Sequence, residues 1–182
     1  MKNPWQTLEK EIIYENPWIK LEEHKIIDPN GNNGIYGKVF FKNKAVGIVP
    51  IDKDDCIYLV GQYRYTINEY SWEIPMGGCA INESPIDAAI RELKEETGLI
   101  AREFDEIMRV HTSNSITDEE GIIFLAKNLT QSTRELDPTE KIDVKRVSFD
   151  EAVELVINGK ITDAISCNAI LKIALLRSRI MK

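Results

Sequence analysis

Between Ser84 and Gly98 the sequence SPIDAAIRELKEETG specifies a helix with both ends marked. Ser84 is suited to cap the first turn, Pro85 takes the first helical position, and Asp87 sets a carboxylate near the positive end of the helix dipole. Gly98 is placed to end the helix. Ile86, Ala89, Ile90 and Leu93 recur at helical spacing and predict the buried stripe. The remaining positions carry the constraint. Glu92, Glu95 and Glu96 fall three and four residues apart, so their carboxylates cluster, and like charges at that spacing destabilise a helix unless something neutralises them. Arg91, four residues before Glu95, can clamp a carboxylate, Glu83 can reach back from the preceding loop, and Gly77 lets that loop approach closely. Hard oxygen ligands gathered this way suit Mg²⁺ or Mn²⁺, which combine carboxylates with substrate phosphate oxygens. The competing reading is a solvated acidic helix face.

The surrounding pattern says what the helix packs into. Trp18–Ile27 and Ile35–Phe41 flank the turn cluster DPNGNNG and predict a hairpin. Ala45–Ile51 and Cys56–Tyr65 read as strands joined by a charged turn, and a short strand, Ser71–Ile74, runs into Pro75-Met76-Gly77-Gly78. After the helix come strands at Ile107–His111, Gly121–Lys127 and Ile142–Phe149. Helices follow at Phe149–Asn158, with Asp150 in the N-cap region, and at Thr162–Ile180. Ile170, Ile173, Ala174 and Leu176 are its expected core stripe. This order predicts an α+β or three-layer arrangement in which residues 1–44 form a small N-terminal antiparallel β extension and residues 45–182 the main domain.

With 43% apolar and 29% charged residues in 182, the chain can bury a core, and neither disorder nor collagen fits. Thirty acidic residues against 23 Lys and Arg give a net charge of −7, which argues against binding nucleic acid or anionic membrane. A phosphate-bearing substrate stays open, because a bound divalent cation can reverse the local charge; its binding is then expected to depend on metal. The opening MKNPWQTLEK has no apolar run, so no secretory leader is expected, and the apolar C-terminal stretch is interrupted by Lys172, Arg177 and Arg179 and is too short to span a bilayer. Cys56, Cys79 and Cys167 are widely spaced and odd in number, which makes a reducing cytoplasm the default.

The segment from Gly77 to Leu99 resembles the Nudix box, G-x5-E-x7-R-E-U-x-E-E-x-G-U with U aliphatic. Gly77, Glu83, Arg91, Glu92, Leu93, Glu95, Glu96, Gly98 and Leu99 match every position. Seven fixed residues at average usage coincide by chance on the order of 10⁻⁸ per start position. The flanking elements are also similar to the Nudix hydrolase fold, an α/β/α sandwich with a mixed sheet. The resemblance implies hydrolysis of a nucleoside diphosphate linked to another moiety. It casts Glu92 and Glu96 as metal ligands, with the Met76 carbonyl as a further one. Glu95 is a ligand or a positioner of the attacking water, Arg91 and Glu83 are supports, and Gly77 and Gly98 are structural box residues.

Outside the box, LVGQYRY (59–65) and Trp72-Glu73-Ile74-Pro75 resemble the ADP-ribose and nucleoside diphosphate sugar pyrophosphatase branch. That resemblance assigns Arg64 to a phosphate or a carboxylate of the site and Glu73 to the pocket lining; the alternatives are a strand-end salt bridge and edge-strand solvation. Glu119 aligns with a substrate-contacting Glu, whereas Asn114 stands where the branch has a marker proline, which leaves nucleotide sugars other than ADP-ribose open. The stretch LDPTEKI (136–142) resembles the acidic loop that supplies a catalytic base or third ligand in this branch, with Glu140, ahead of Asp137, as the candidate; the alternative is an ordinary acidic turn. In this branch the N-terminal strands help form a homodimer and complete the partner's pocket. Trp18 and Tyr36 are either aromatic walls for a base or packing residues. His24 and His111 lack a metal-spaced partner and are expected to be structural. Hydrolysis of a nucleoside triphosphate or dinucleoside polyphosphate is the enzymatic alternative. A nucleotide-sugar sensor without catalysis is the other, disfavoured because every box glutamate is present.

Overall fold

The computed structural model describes residues 2–135 and 141–180. In chain order the elements are β1 (Gln6–Glu15), β2 (Ile19–Ile27), β3 (Asn33–Phe41), β4 (Lys44–Pro50), β5 (Cys56–Arg64), β6 (Glu69–Glu73), β7 (Met76–Cys79), α1 (Pro85–Thr97), β8 (Leu99–Ile100), β9 (Glu103–His111), β10 (Glu120–Lys127), β11 (Thr130–Gln131), β12 (Asp143–Ser148), α2 (Phe149–Ile157) and α3 (Ala164–Ile180).

The run Ala45–Ile51 is apolar throughout, and a strand of that kind must be covered on both faces. β4 pairs in parallel with β10, from Ala45 opposite Gly121 to Pro50 opposite Ala126. Antiparallel β7 and β9 complete a sheet of order β7-β4-β10-β9. Alternation sends Val46, Ile48, Ile122 and Phe124 to one face, where they bury with Ala88, Ala89 and Leu93 of α1. Val49 and Ile123 go to the other, under Phe149 and Ala152 of α2 and Ile165, Ala169, Ile170 and Ile173 of α3. One helix below and two above make the expected α/β/α sandwich. A second antiparallel sheet, β12-β5-β6, and the short β11-β8 pair flank it, and β1-β2-β3 form the N-terminal antiparallel sheet.

Several local expectations need correction. Ile86 and Ile90 are 42% and 45% exposed; the buried side of α1 is Ala88, Ala89, Leu93, Glu96 and Thr97, turned toward the sheet by the need to seat Glu96. Leu176 is exposed, whereas Ile170 and Ile173 are buried. Ser148, not Asp150, caps α2, its hydroxyl accepting the Glu151 N–H at 3.1 Å. α3 begins at Ala164, and the Asp163 carboxylate accepts the Ser166 N–H at 2.7 Å. β1 is a strand beyond those expected from sequence; all ten of its positions are exposed, so no buried face marks it. β7 was hidden in a Pro-Met-Gly-Gly run that reads as loop.

Two glycines set how closely α3 approaches the sheet. A Cβ at Gly47 would lie 2.8 Å from Ile165 Cγ2, and one at Gly121, on β10, would lie 2.9 Å from Ile165 Cδ1. Ile165 thus drops into a notch across the parallel pair and fixes the first turn of α3. Gly47→Ala should overpack this notch and cost about 1–3 kcal/mol. Urea denaturation would show it as a lower midpoint with an unchanged slope.

Candidate active site

Arg91 organises the acidic helix. Its Nε and Nη2 donate to the two Glu83 oxygens, each at 3.0 Å, and Nη2 also donates to the Gly78 carbonyl at 2.9 Å. Nη1 donates to Glu92 at 2.7 Å and to Glu95 at 3.0 Å. These contacts use every N–H of the guanidinium. They raise the Arg91 pKa, Glu83 most of all, and the same bond holds the Glu83 carboxyl below its ordinary range. The loop before α1 is thereby stitched to the helix it precedes.

The helix is built as its ends predicted: Ser84 Oγ accepts the Asp87 N–H at 3.2 Å, and Gly98, at φ 71°, returns its N–H to the Lys94 carbonyl. Glu96 is 2% exposed and accepts the Met76 N–H at 2.9 Å. Beside it, a Cβ at Gly77 would lie 2.1 Å from the Glu92 carboxyl carbon. The backbone of β7 therefore runs directly against both carboxylates, and only glycine leaves room for Glu92. Oxygens alone make up this donor set, with no thiol or imidazole among them, which fits a hard divalent cation. Among the described residues no group of three or more His, Cys, Asp or Glu side chains forms a ready cage. Glu92 and Glu95 are turned onto Arg91 instead, so water and phosphate oxygens would be needed to complete a cation's shell.

A cleft of about 730 Å³ opens from Met76, Gly77 and Gly78. It brings together Arg64, Glu73, Glu119 and Trp18, the side chains assigned to substrate from sequence. Arg64 and Glu73 form a two-pronged ion pair; Nε donates to Oε1 at 2.9 Å and Nη2 to Oε2, with Glu73 only 3% exposed. The pair raises the Arg64 pKa. Glu119 accepts the Thr112 hydroxyl, and Trp18 stands 68% exposed at the rim. Tyr36 is not in the lining. Its ring meets Trp5 edge-on at 5.5 Å and its hydroxyl donates to the Ser115 carbonyl. His24 bonds Glu22 at 2.8 Å, and His111 Nδ1 lies 3.3 Å from the Glu119 carbonyl. Asp137 and Glu140 fall outside the described residues.

Residues 41–164 match the NUDIX domain. The chain belongs to the Nudix family. Residues 5–39 match a second pattern, the nucleoside diphosphate sugar hydrolase N-terminal domain. An ADP-ribose pyrophosphatase of Bacillus subtilis is 32% identical over 91% of this chain and 90% of its own length. The methanol dehydrogenase activator of Bacillus methanolicus is 29% identical over 87% of this chain and 86% of its own length. Among solved structures, an ADP compounds hydrolase superposes with a TM-score of 0.86 at 24% identity, covering 96% of this chain and 95% of that one, which extends the likeness to the fold as a whole.

The Nudix cleft also has a wall that sequence reasoning missed. Thr162, Asp163 and Ala164 line it at the start of α3, and Phe41 and Lys44 line it from the other side. Asp163 stands near enough to Arg64 to reinforce its charge. Its position just before a helical run was readable as an N-cap, but nothing local tied that cap to the Nudix helix.

Two outcomes follow for this site. Gly77→Ala should displace the Glu92 carboxylate and reduce metal affinity or turnover by about 10–100-fold, the loss usual when a ligand's support is disturbed. Calorimetric titration with Mn²⁺ measures the loss, and an unchanged circular dichroism spectrum shows that the fold is kept. Because Glu83 titrates below its unfolded value, its contribution to stability is complete above the ordinary carboxylate range and is lost as pH falls through the lowered folded value. Glu83→Gln should therefore lose less stability than the parent chain over that acid range, as read by urea midpoints between neutral pH and pH about 3.

Proposed function

We propose that this Nudix enzyme hydrolyses the diphosphate bond of ADP-ribose or a related nucleoside diphosphate sugar, with Mg²⁺ or Mn²⁺ as its cation, giving a nucleoside monophosphate and a sugar phosphate. The observation that carries this reading is the complete set of helix glutamates, Glu92 and Glu95 held by Arg91 and Glu96 by the Met76 N–H, adjoining a cleft that contains Arg64, Glu73 and Glu119. The name of the Bacillus subtilis relative supports the substrate class.

In this reading Glu92, Glu96 and the Met76 carbonyl would hold the cation, whose contribution would be to neutralise the diphosphate and to lower the pKa of the attacking water. Arg91 fixes Glu95 so that its second oxygen can orient that water, and Glu140 takes the proton. Glu83 anchors the loop whose backbone faces the helix. Arg64, held flat by Glu73, presents its remaining N–H groups to a substrate phosphate. Glu119 accepts hydroxyls of the sugar, and Trp18 stacks on the base. The extension over residues 1–44 serves dimerisation and completes the partner's pocket. Leu8, Ile12, Ile13 and Tyr14, all exposed on β1, support a homodimer. Free Cys56, Cys79 and Cys167 support a reducing cytoplasm. Among the described residues no helix is long and apolar enough to cross a membrane.

Incubation with Mg²⁺ and a panel of nucleotide sugars, with products resolved by chromatography, tests the proposal. Monophosphate release is expected from at least one nucleoside diphosphate sugar. Glu96→Gln should lower turnover about a hundredfold or more, since disturbing even an outer partner of a metal costs 10–100-fold. No product from any member of the panel, or full activity in Glu96→Gln, would sink the proposal, and pyrophosphate released only from triphosphates would replace it with the triphosphatase reading.

A further inference from the structure

The loop between β9 and β10, residues 112–119, is not free-standing. It is bound along the outer edge of β3, the edge that β2 leaves open. Val39 donates its N–H to the Ile116 carbonyl at 2.9 Å and accepts the Asp118 N–H at 3.3 Å, forming a one-residue parallel bridge with Thr117. Phe41 is the next residue whose backbone faces the same edge, and an open edge leaves such a group without a strand partner. Here the Asp118 side chain supplies the partner: Oδ1 accepts the Phe41 N–H at 2.9 Å, and Oδ2 lies 3.5 Å from Lys38 Nζ. One carboxylate does the work of a missing strand residue, across 77 positions of sequence.

The neighbours of this contact give it meaning. Phe41 lines the cleft together with Trp18, and the Trp18 carbonyl accepts the Lys42 N–H at 2.9 Å, so the two ends of the β2-β3 pair are tied to each other. On the other side of the contact, Glu119 follows Asp118 directly and also lines the cleft. A bond from Asp118 to Phe41 therefore ties two opposed pieces of the substrate pocket together, one from the N-terminal sheet and one from the Nudix domain. Neither Asp118 nor Phe41 touches the Arg91 cluster in the hydrogen bonds described above.

The geometry points to Asp118 as a positioning residue for specificity: it sets the distance between the Phe41 wall and Glu119, and so shapes the part of the pocket that receives the groups outside the diphosphate. The N-terminal sheet is then part of substrate selection within a single chain. This assignment of the pocket rests on the proposed nucleotide-sugar hydrolysis, whereas the loop-to-strand contact does not.

The test uses the full-length chain with Asp118→Ala and Asp118→Asn, measured by steady-state kinetics on the best nucleotide sugar of the panel and by amide hydrogen exchange. Asp118→Ala should raise KM about tenfold, the order expected for losing a hydrogen bond to a charged group, with kcat changed by less than about threefold. Asp118→Asn keeps an acceptor facing the Phe41 amide and should restore KM to within about threefold of the parent value. Exchange should quicken at residues 39–41 and 113–119 in Asp118→Ala and stay unchanged in α1. A kcat loss with KM unchanged, or a KM defect that Asn does not rescue, would overturn the assignment. Unchanged exchange at both segments would overturn the contact itself. Should the parent chain cleave no nucleotide sugar, the functional reading fails while the exchange result still decides the contact; an Asp118→Ala chain that exchanges fast everywhere leaves the decision to Asp118→Asn, where slow exchange at both segments supports the contact and fast exchange refutes it.

Discussion

A helix that places Glu92, Glu95 and Glu96 within two turns carries a repulsion that its own propensities do not offset. The Arg91 guanidinium absorbs part of it by bonding Glu92 and Glu95, and at the same time bonds Glu83 and the Gly78 carbonyl on the preceding loop. Loop, helix and β7 are consequently one electrostatic unit. Glu96 extends the unit by accepting the Met76 N–H, and Gly77 allows the Glu92 carboxylate to lie against the strand. Removing the positive centre would leave partly buried carboxylates facing one another, which is far more costly than losing a surface ion pair. The same residual negative charge is what gives a divalent cation a reason to enter.

How much of this was legible in the sequence depends on the range of the interaction. The helix caps, the Arg91 clamp on Glu95 and the close approach at Gly77 are all local, and the structure shows them as their spacing implied. The strands Ala45–Ile51 and Gly121–Lys127 are legible as local apolar runs too, and in the structure both are buried along most of their length. What escaped reading depended on distant contacts. Ile86 and Ile90 fit a helical stripe, yet the helix rolls to bury Ala88, Ala89 and Glu96, because the sheet needs small side chains beneath it and β7 needs the carboxylate. Asp163 joins the cleft only because Ile165 seats α3 in the Gly47 and Gly121 notch. β1 shows no alternation because neither of its faces meets this chain's core.

Charge distribution also changes its meaning once the fold is known. The acid excess of the whole chain is not spread evenly in effect: Glu92 and Glu96 of α1 lie against the Met76-Gly77 backbone that lines the cleft, and Arg64, flanked by Glu73, stands on another part of the lining. In the reading proposed above, an anionic diphosphate would meet the Arg64 guanidinium, held in a fixed plane by Glu73, and carboxylates that call for a cation before they tolerate it. The local arrangement matters more than the net charge.

The two sides of the cleft are made of unequal material. The side formed by Met76, Gly77 and Gly78 is backed by α1 and a sheet buried on both faces, with the first turn of α3 locked into a glycine notch. The side formed by Trp18 and Phe41 hangs from a hairpin sheet whose outer strand is exposed at every position. Local openings draw on the least packed parts of a fold, so the rim can loosen and be remodelled while the catalytic wall stays intact. Under the function proposed above, the chemistry is written in the hard part of the protein and the choice of substrate in the soft part, so that a lineage could exchange one nucleotide partner for another by accumulating changes that cost the fold little.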